Sequence, residues 1–340
     1  MTKAQMGRTM AEDIIRRGLR TIWNAPKRTI RNLVDLGLEV SQDPIQQQML
    51  KFCQDILRRE DSPYYQLILE TIRHVEEENL LTFGINFGWN GMTQGSARIR
   101  ELELQGHYRI PWSMTLHIAE QADSMETEEE LRLVLEGMEL GIYVYFLMPE
   151  DEVSVNEALN LAAACPDCAF ILLLPQSCNP DAHMTCLAHC PNVLLELNCL
   201  EPGWQDRVML MRKHRRLYGL YRKYRADEDT SRISSGHWFE DVLPYAGLNI
   251  LFVQDGEKSE PCPVNRFILE ARQEQRYSTL LLDFYSDNLC MDARLSLPPC
   301  FLGIQGDGTV TECRDGYETA TAESAQIGRA SCRERVFRAV

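Results

Sequence analysis

No apolar run in this chain approaches the ~20 residues that a membrane-spanning helix needs; one of the longest is Ile142 to Met148. The opening stretch, MTKAQMGRTMAEDIIRRGLR, lacks the apolar core of a secretory signal. Basic charge is in deficit, with 35 Lys and Arg against 50 Asp and Glu and a net charge of −15. That balance argues against a general nucleic-acid or anionic-membrane binder. We therefore expect a cytoplasmic protein with no transmembrane segment and no nucleic-acid partner. A disordered composition is also lacking, since 44% of the residues are hydrophobic and 25% charged. With 340 residues, the chain can bury one large core or two ordinary ones.

Cysteine is plentiful but unevenly placed: there are 12, with none between Cys53 and Cys165. Without an export signal they read as reduced thiols. Cys165 and Cys168 (CPDC) and Cys186 and Cys190 have spacings that invite metal, but the first pair opens the apolar run AFILLL. Buried structural thiols are the reading we adopt for both pairs. The histidines show no ligand spacing: His183 and His189 are six apart, and His214 and His237 stand alone. His117 ends a strand candidate, where a polar strand-end residue is the simplest reading.

Residues 1–80 carry helical periodicity, with stripes Ile14, Ile15, Leu19, Ile22, Trp23 and Leu67, Ile68, Ile72, Val75. Six strand candidates follow, beginning at Ser113, Ile142, Ala169, Val193, Leu217 and Leu248, at spacings of 24 to 31 residues. That is the size of a βα unit, so the sequence predicts a parallel sheet, either doubly wound or curled into a barrel. The helix over Thr127 to Leu140 should end on Gly141, and the next should start at Ser154 with Glu157 in a capping box. A further apolar stretch, LLLDFY, precedes CFLGIQGDGTVTEC, which predicts a hairpin turning at Gly306-Asp307-Gly308 between Cys300 and Cys313.

In order and spacing, NFGWNG, IPWSMTL, ELGIYVYFLMPED, CPDCAFILLLPQ, LLELNCLE, WFEDVLPYAGLNILFV, LLLDFYSDNLC and CFLGIQGDGTVTEC together resemble a radical S-adenosylmethionine protein with a C-terminal SPASM segment, from Tyr64 to Gln326. The resemblance implies an α/β fold with a partial (β/α)6 barrel at 81–285, a helical extension at 1–80 and a SPASM-like hairpin at 286–326. It also implies a C-x3-C-x2-C loop after the first strand, which holds a four-iron cluster that binds the cofactor. That motif is absent here. The family's Gly-Gly-Glu-Pro turn is replaced by Met148-Pro149-Glu150-Asp151, and its Thr-Asn-Gly by Leu174-Pro175-Gln176. At the hairpin, Cys300, Gly308 and Cys313 match the SPASM spacing, so Cys300 and Cys313 are the candidate ligands of a residual iron–sulfur cluster, with Cys290 as a weak third.

The tail IGRASCRERV, within 327–340, reads like a translated sequencing adapter, so we expect the authentic chain to depart from this sequence near Gln326 and to supply further cysteines. No cofactor is expected in the barrel and no catalytic residue is assigned. The first expectation is a pseudoenzyme that binds a ligand, peptide or protein; the strand-end rim residues Glu150, Asp151, Gln176 and Asn198 are the cofactor-binding candidates and the residues a cluster-free barrel enzyme would use. The alternatives are an active radical enzyme on a peptide, using iron–sulfur and S-adenosylmethionine, and a cluster-free barrel enzyme.

Overall fold

The computed structural model describes residues 3–41, 43–106, 109–119, 125, 127–176, 178–225, 228, 230–255, 262–295, 300–314 and 317–320, with side chains described within 6–311. The adapter-like decapeptide lies outside the described residues. Four helices form the lead-in: α1 (Lys3–Thr21), α2 (Pro26–Val40), α3 (Pro44–Ile56) and α4 (Pro63–His74). The last three open on proline, whose missing N–H is one the first turn leaves unused anyway. Helix α5 (Glu77–Ile85) continues through a π-helical stretch (Asn86–Gly95) into α6 (Ser96–Gln105). That stretch holds NFGWNG. Its Asn86 amide donates to the carbonyls of Pro166 and Cys168, and its Asn90 amide to that of Asp167, which docks it on the turn before the third strand. No helix among the described residues is long and apolar enough to cross a membrane.

Seven strands then lie side by side in chain order, all parallel: β1 (Ser113–Ile118), β2 (Val144–Pro149), β3 (Ala169–Leu173), β4 (Val193–Asn198), β5 (Tyr218–Arg225), β6 (Asn249–Asp255) and β7 (Leu280–Asp283). The helices between them are α7 (Thr127–Leu140), α8 (Glu152–Ala164), α9 (Met184–Leu187), α10 (Trp204–Lys213), α11 (Ser231–Ser234), α12 (His237–Val242) and α13 (Pro263–Glu274). The sequence predicted six strands; the seventh is the LLLD of the apolar stretch at 280, which pairs with β6 in parallel. After α14 (Phe284–Leu295), β8 (Phe301–Ile304) returns to the free side of β1, also parallel, and β9 (Val310–Arg314) and β10 (Tyr317–Ala320) follow antiparallel. The order β10-β9-β8-β1-β2-β3-β4-β5-β6-β7 is open, so the curled sheet is a half-barrel. The hairpin forms as expected and is continuous with the barrel sheet.

Of two local expectations at helix ends, one shifts. Gly141 ends α7 at φ +103°, as predicted, but α8 starts at Glu152 rather than Ser154. Asp151 caps it: its carboxylate accepts from the Ser154 N–H at 2.9 Å, while Ser154 Oγ accepts from the Asp151 N–H at 3.0 Å. A short acidic side chain three residues upstream outcompetes Glu157 because it reaches the free N–H groups of the first turn directly.

Side chains alternate along each strand, so one set faces the concave side. The register aligns Thr115 with Phe146 and Ile171 in one row, and His117 with Met148 in the next. Helix α14 packs against this concave face: Phe284 meets Phe146 and Phe301 edge-on at 5.0 and 5.5 Å, and Ser113 Oγ donates to Asn288 at 3.3 Å. Asp292, fully buried at the end of α14, accepts from the Trp112 N–H at 2.9 Å and from the Cys300 N–H. One carboxylate thus fixes the starts of both β1 and β8. Removing it leaves two buried donors without an acceptor, at roughly 1–3 kcal/mol each. Asp292→Ala should therefore lower the urea midpoint by the equivalent of about 2–6 kcal/mol, and Asp292→Asn by less, because its amide oxygen still accepts one of the two bonds.

Candidate functional site at the barrel mouth

Parallel barrels place their working residues at the strand C-termini, and here that end opens into a cavity of about 610 Å³. Small-molecule sites span roughly 300–1,000 Å³. The inward positions of successive strands line it: His117 from β1, Met148 and Glu150 at β2, Leu173, Pro175 and Gln176 at β3, Asn198 from β4, Tyr221, Lys223 and Arg225 from β5, and Asp255 from β6. Glu228 adds a further carboxylate. It pairs with Arg222 at 2.9 Å, and that guanidinium lies 5.2 Å from the Trp238 ring centroid. Lys223 and Arg225 therefore share the mouth with Glu150, Glu228 and Asp255.

Of the rim residues named from sequence, Glu150, Gln176 and Asn198 meet in this one cavity, and His117 joins them. Asp151 does not line it, since its carboxylate is spent on capping α8. Cys300 is buried at the start of β8. In the register Cys313 faces Phe301, one position on from Cys300, but its side chain lies outside the described ones. Cys290 is exposed on α14. Among the described residues, neither Cys290 nor Cys300 joins a group of three that could hold a metal.

The four-iron cluster implied by the resemblance does not fit this mouth. Positions 119–126, which follow β1, contain no cysteine. Cys165 and Cys168 are buried in the turn before β3, at the opposite end of the sheet, where burial pushes the Cys165 thiol up to about 11 and the Cys168 thiol higher still. Lying at the N-terminal end of β3, neither thiol can supply a ligand to a cluster at the mouth.

Two features had no sequence signal that we read. The first is Glu196, fully buried on β4. The register places Glu196, Gly219 and Asn249 opposite one another across β4, β5 and β6. Because Gly219 has no side chain, Asn249 Nδ2 reaches over it to donate to Glu196 Oε1 at 2.6 Å. A methyl at Gly219 would stand 2.6 Å from Glu196 Oε2 and collide with Asn249 Oδ1. Those two oxygens are buried acceptors without a donor. Burial pushes the acid up to about 8, so at neutral pH it carries a proton that can serve as the missing donor. The second is a cluster beside the rim. Cys178 Sγ lies 3.4 Å from His183 Nε2, His183 Nδ1 lies 2.9 Å from Asn156 Oδ1, and Glu152 Oε1 is 3.8 Å from the same Nε2. The signals were there in sequence: Glu152 and Asn156 stand four apart on a helix, and Cys178 and His183 five apart on the next loop.

No family model matches the chain, and no curated protein does. Among solved structures, one match is a chain described as an aldo-keto reductase from Pseudomonas aeruginosa, at 14% identity and a TM-score of 0.30, covering 53% of this chain and 89% of that one. At that level the likeness carries no functional argument. The geometry itself defines a partial TIM-like α/β barrel with an open polar mouth.

Glu196 yields a pH prediction. Its folded-state value, about 8, lies above its ordinary 4.5. The folded chain therefore holds this proton more tightly, and the stability it contributes is full below pH 4.5 and lost as pH rises through 8. Glu130, buried on α7 near Glu157 and pushed up to about 7, acts in the same direction. Urea unfolding of the wild type should show falling stability across this window. Glu196→Gln should flatten the fall, leaving the smaller slope of Glu130; an unchanged slope would place a charged carboxylate at Glu196.

Proposed function

We propose that this chain is a degenerate radical-S-adenosylmethionine-like barrel that binds a small zwitterion, an amino acid or a peptide end, at its mouth and performs no radical chemistry. The observation that carries the reading is the convergence of inward residues from β1 to β6 on one cavity bearing both signs of charge. Lys223 and Arg225 suit a carboxylate, while Glu150 and Asp255 suit an ammonium group, and Gln176 and Asn198 offer neutral hydrogen bonds at the wall. The reading also rests on the sequence, in which no thiolate follows β1 and Pro149 takes the place of a glycine through which backbone would approach a cofactor. The SPASM-like reading of the hairpin is part of the same proposal, with Cys300 and Cys313 as its two matching positions.

Anaerobically purified chain should be assayed for iron, sulfide and reductive cleavage of S-adenosylmethionine, and screened in parallel by thermal shift against the free amino acids and simple dipeptides. We expect no 5′-deoxyadenosine above the protein-free control. We also expect at least one zwitterion to stabilise the fold, by about 2.7 kcal/mol at a hundredfold excess over Kd. Lys223→Gln should abolish that shift while leaving the unliganded midpoint in place, and Glu150→Gln should abolish it as well. Formation of 5′-deoxyadenosine would establish the radical enzyme instead, and a flat screen would remove the zwitterion.

A further inference from the structure

The Glu152, Cys178 and His183 cluster is separate from the mouth cavity, and each of its parts is explained by one chemistry. A tetrahedral zinc site with bonds of about 2.3 Å to sulfur and 2.0–2.1 Å to nitrogen and oxygen needs donor atoms roughly 3.3–3.6 Å apart. Here Sγ and Nε2 are 3.4 Å apart and Nε2 and Oε1 are 3.8 Å apart, with all three donor atoms within 4.8 Å of one another. The imidazole is already oriented. Asn156 Oδ1 can only accept, so His183 Nδ1 donates to it at 2.9 Å and the lone pair of Nε2 faces the sulfur and the carboxylate. An outer acceptor holding the far nitrogen is how proteins fix a ligating histidine.

Burial defines the site's open side. Cys178 and His183 are each 2% exposed, whereas the Glu152 side chain is 56% exposed. An ion can therefore enter past the carboxylate. Cys178 is a free thiol, so it carries the proton that metal binding would displace.

We propose that Glu152, Cys178 and His183 form a binding site for one zinc-class divalent cation, with Asn156 as the positioning residue. On binding, the sulfur–hydrogen bond breaks, the sulfur keeps the electron pair as a metal–thiolate bond, and one proton goes to solvent. The thiolate and the Glu152 carboxylate together balance the two positive charges. Three protein ligands leave a fourth position for water. This assignment uses none of the mouth residues, so the zwitterion reading and the metal reading stand or fall separately.

The test is titration of the full-length reduced chain with cobalt(II), read as thiolate-to-cobalt charge-transfer absorption and as proton release in weak buffer. A Cys53→Ser/Cys290→Ser background removes the exposed thiols among the described residues, and adding Cys313→Ser/Cys332→Ser removes the two whose side chains lie outside them. We expect one cobalt and one proton per chain, displacement by zinc, and loss of the absorption in Cys178→Ser. Glu152→Gln changes only an exposed side chain and so leaves folding intact; it should weaken binding about tenfold or more, and Asn156→Ala should do so about 10- to 100-fold. Absent absorption, or absorption that survives both Cys178→Ser and Glu152→Gln, would reduce the cluster to a buried thiol–imidazole hydrogen bond.

Discussion

A half-barrel exposes its concave face, and everything else in this fold depends on how that face is filled. A closed barrel packs its interior with side chains from its own strands. Here the open side admits α14, which lays Phe284 and Asn288 against Phe146, Phe301 and Ser113. Asp292 at the end of the same helix accepts from the backbone just before β1 and just before β8. The helix is thereby fixed to the two strands that continue the sheet toward the hairpin. Because α14 occupies the lower rows, the mouth is left for a ligand-sized cavity. Each edge-on aromatic pair adds roughly 0.5–1.5 kcal/mol beyond its buried area.

The row above the aromatic cluster turns polar at β4, and that polarity is controlled by one glycine. Glu196 and Asn249 belong to strands that are not neighbours, and they meet only because Gly219 between them has no side chain. With its proton held by burial, Glu196 brings no net charge to the cavity above it. The charges at the mouth therefore come from the rim: Glu150, Lys223, Arg225, Glu228 and Asp255. A satisfied buried polar pair of this kind also ties β4 to β6 across β5, which resists a shift in register at the place where the cavity walls are set.

The strands were legible because a parallel sheet covered on both faces writes itself as apolar runs. The strand-end residues Glu150, Gln176 and Asn198 were legible for the same reason, since a polar residue closing such a run marks the mouth. Asp151 was misread because a cap and a rim ligand look alike in sequence, and only the hydrogen bond to the Ser154 N–H tells them apart. The seventh strand was short, and α14 carried no mark of lying on the concave side. Glu196 sat inside VLLELN, where a buried acid needs its partner on β6, 53 positions away, to make sense.

The thiol–imidazole cluster shows why ligand spacing within one segment is too narrow a filter. No pair of histidines has ligand spacing, yet His183 meets its partners through another segment. In a βα fold the loop after one strand meets the start of the helix after the preceding strand, so donors collect from two short segments about one βα unit apart. Glu152 and Asn156 come from the first turns of α8, while Cys178 and His183 come from the loop that follows β3. The same crossover geometry sends Glu150 and Gln176 inward to the cavity, whereas Glu152 and Cys178, each two residues later, fall beyond the strand ends and meet beside α8. One rim thus carries two chemically different places, a mixed-charge mouth inside and a sulfur, nitrogen and oxygen donor set outside, because the chain leaves the sheet and enters the helix within those two residues.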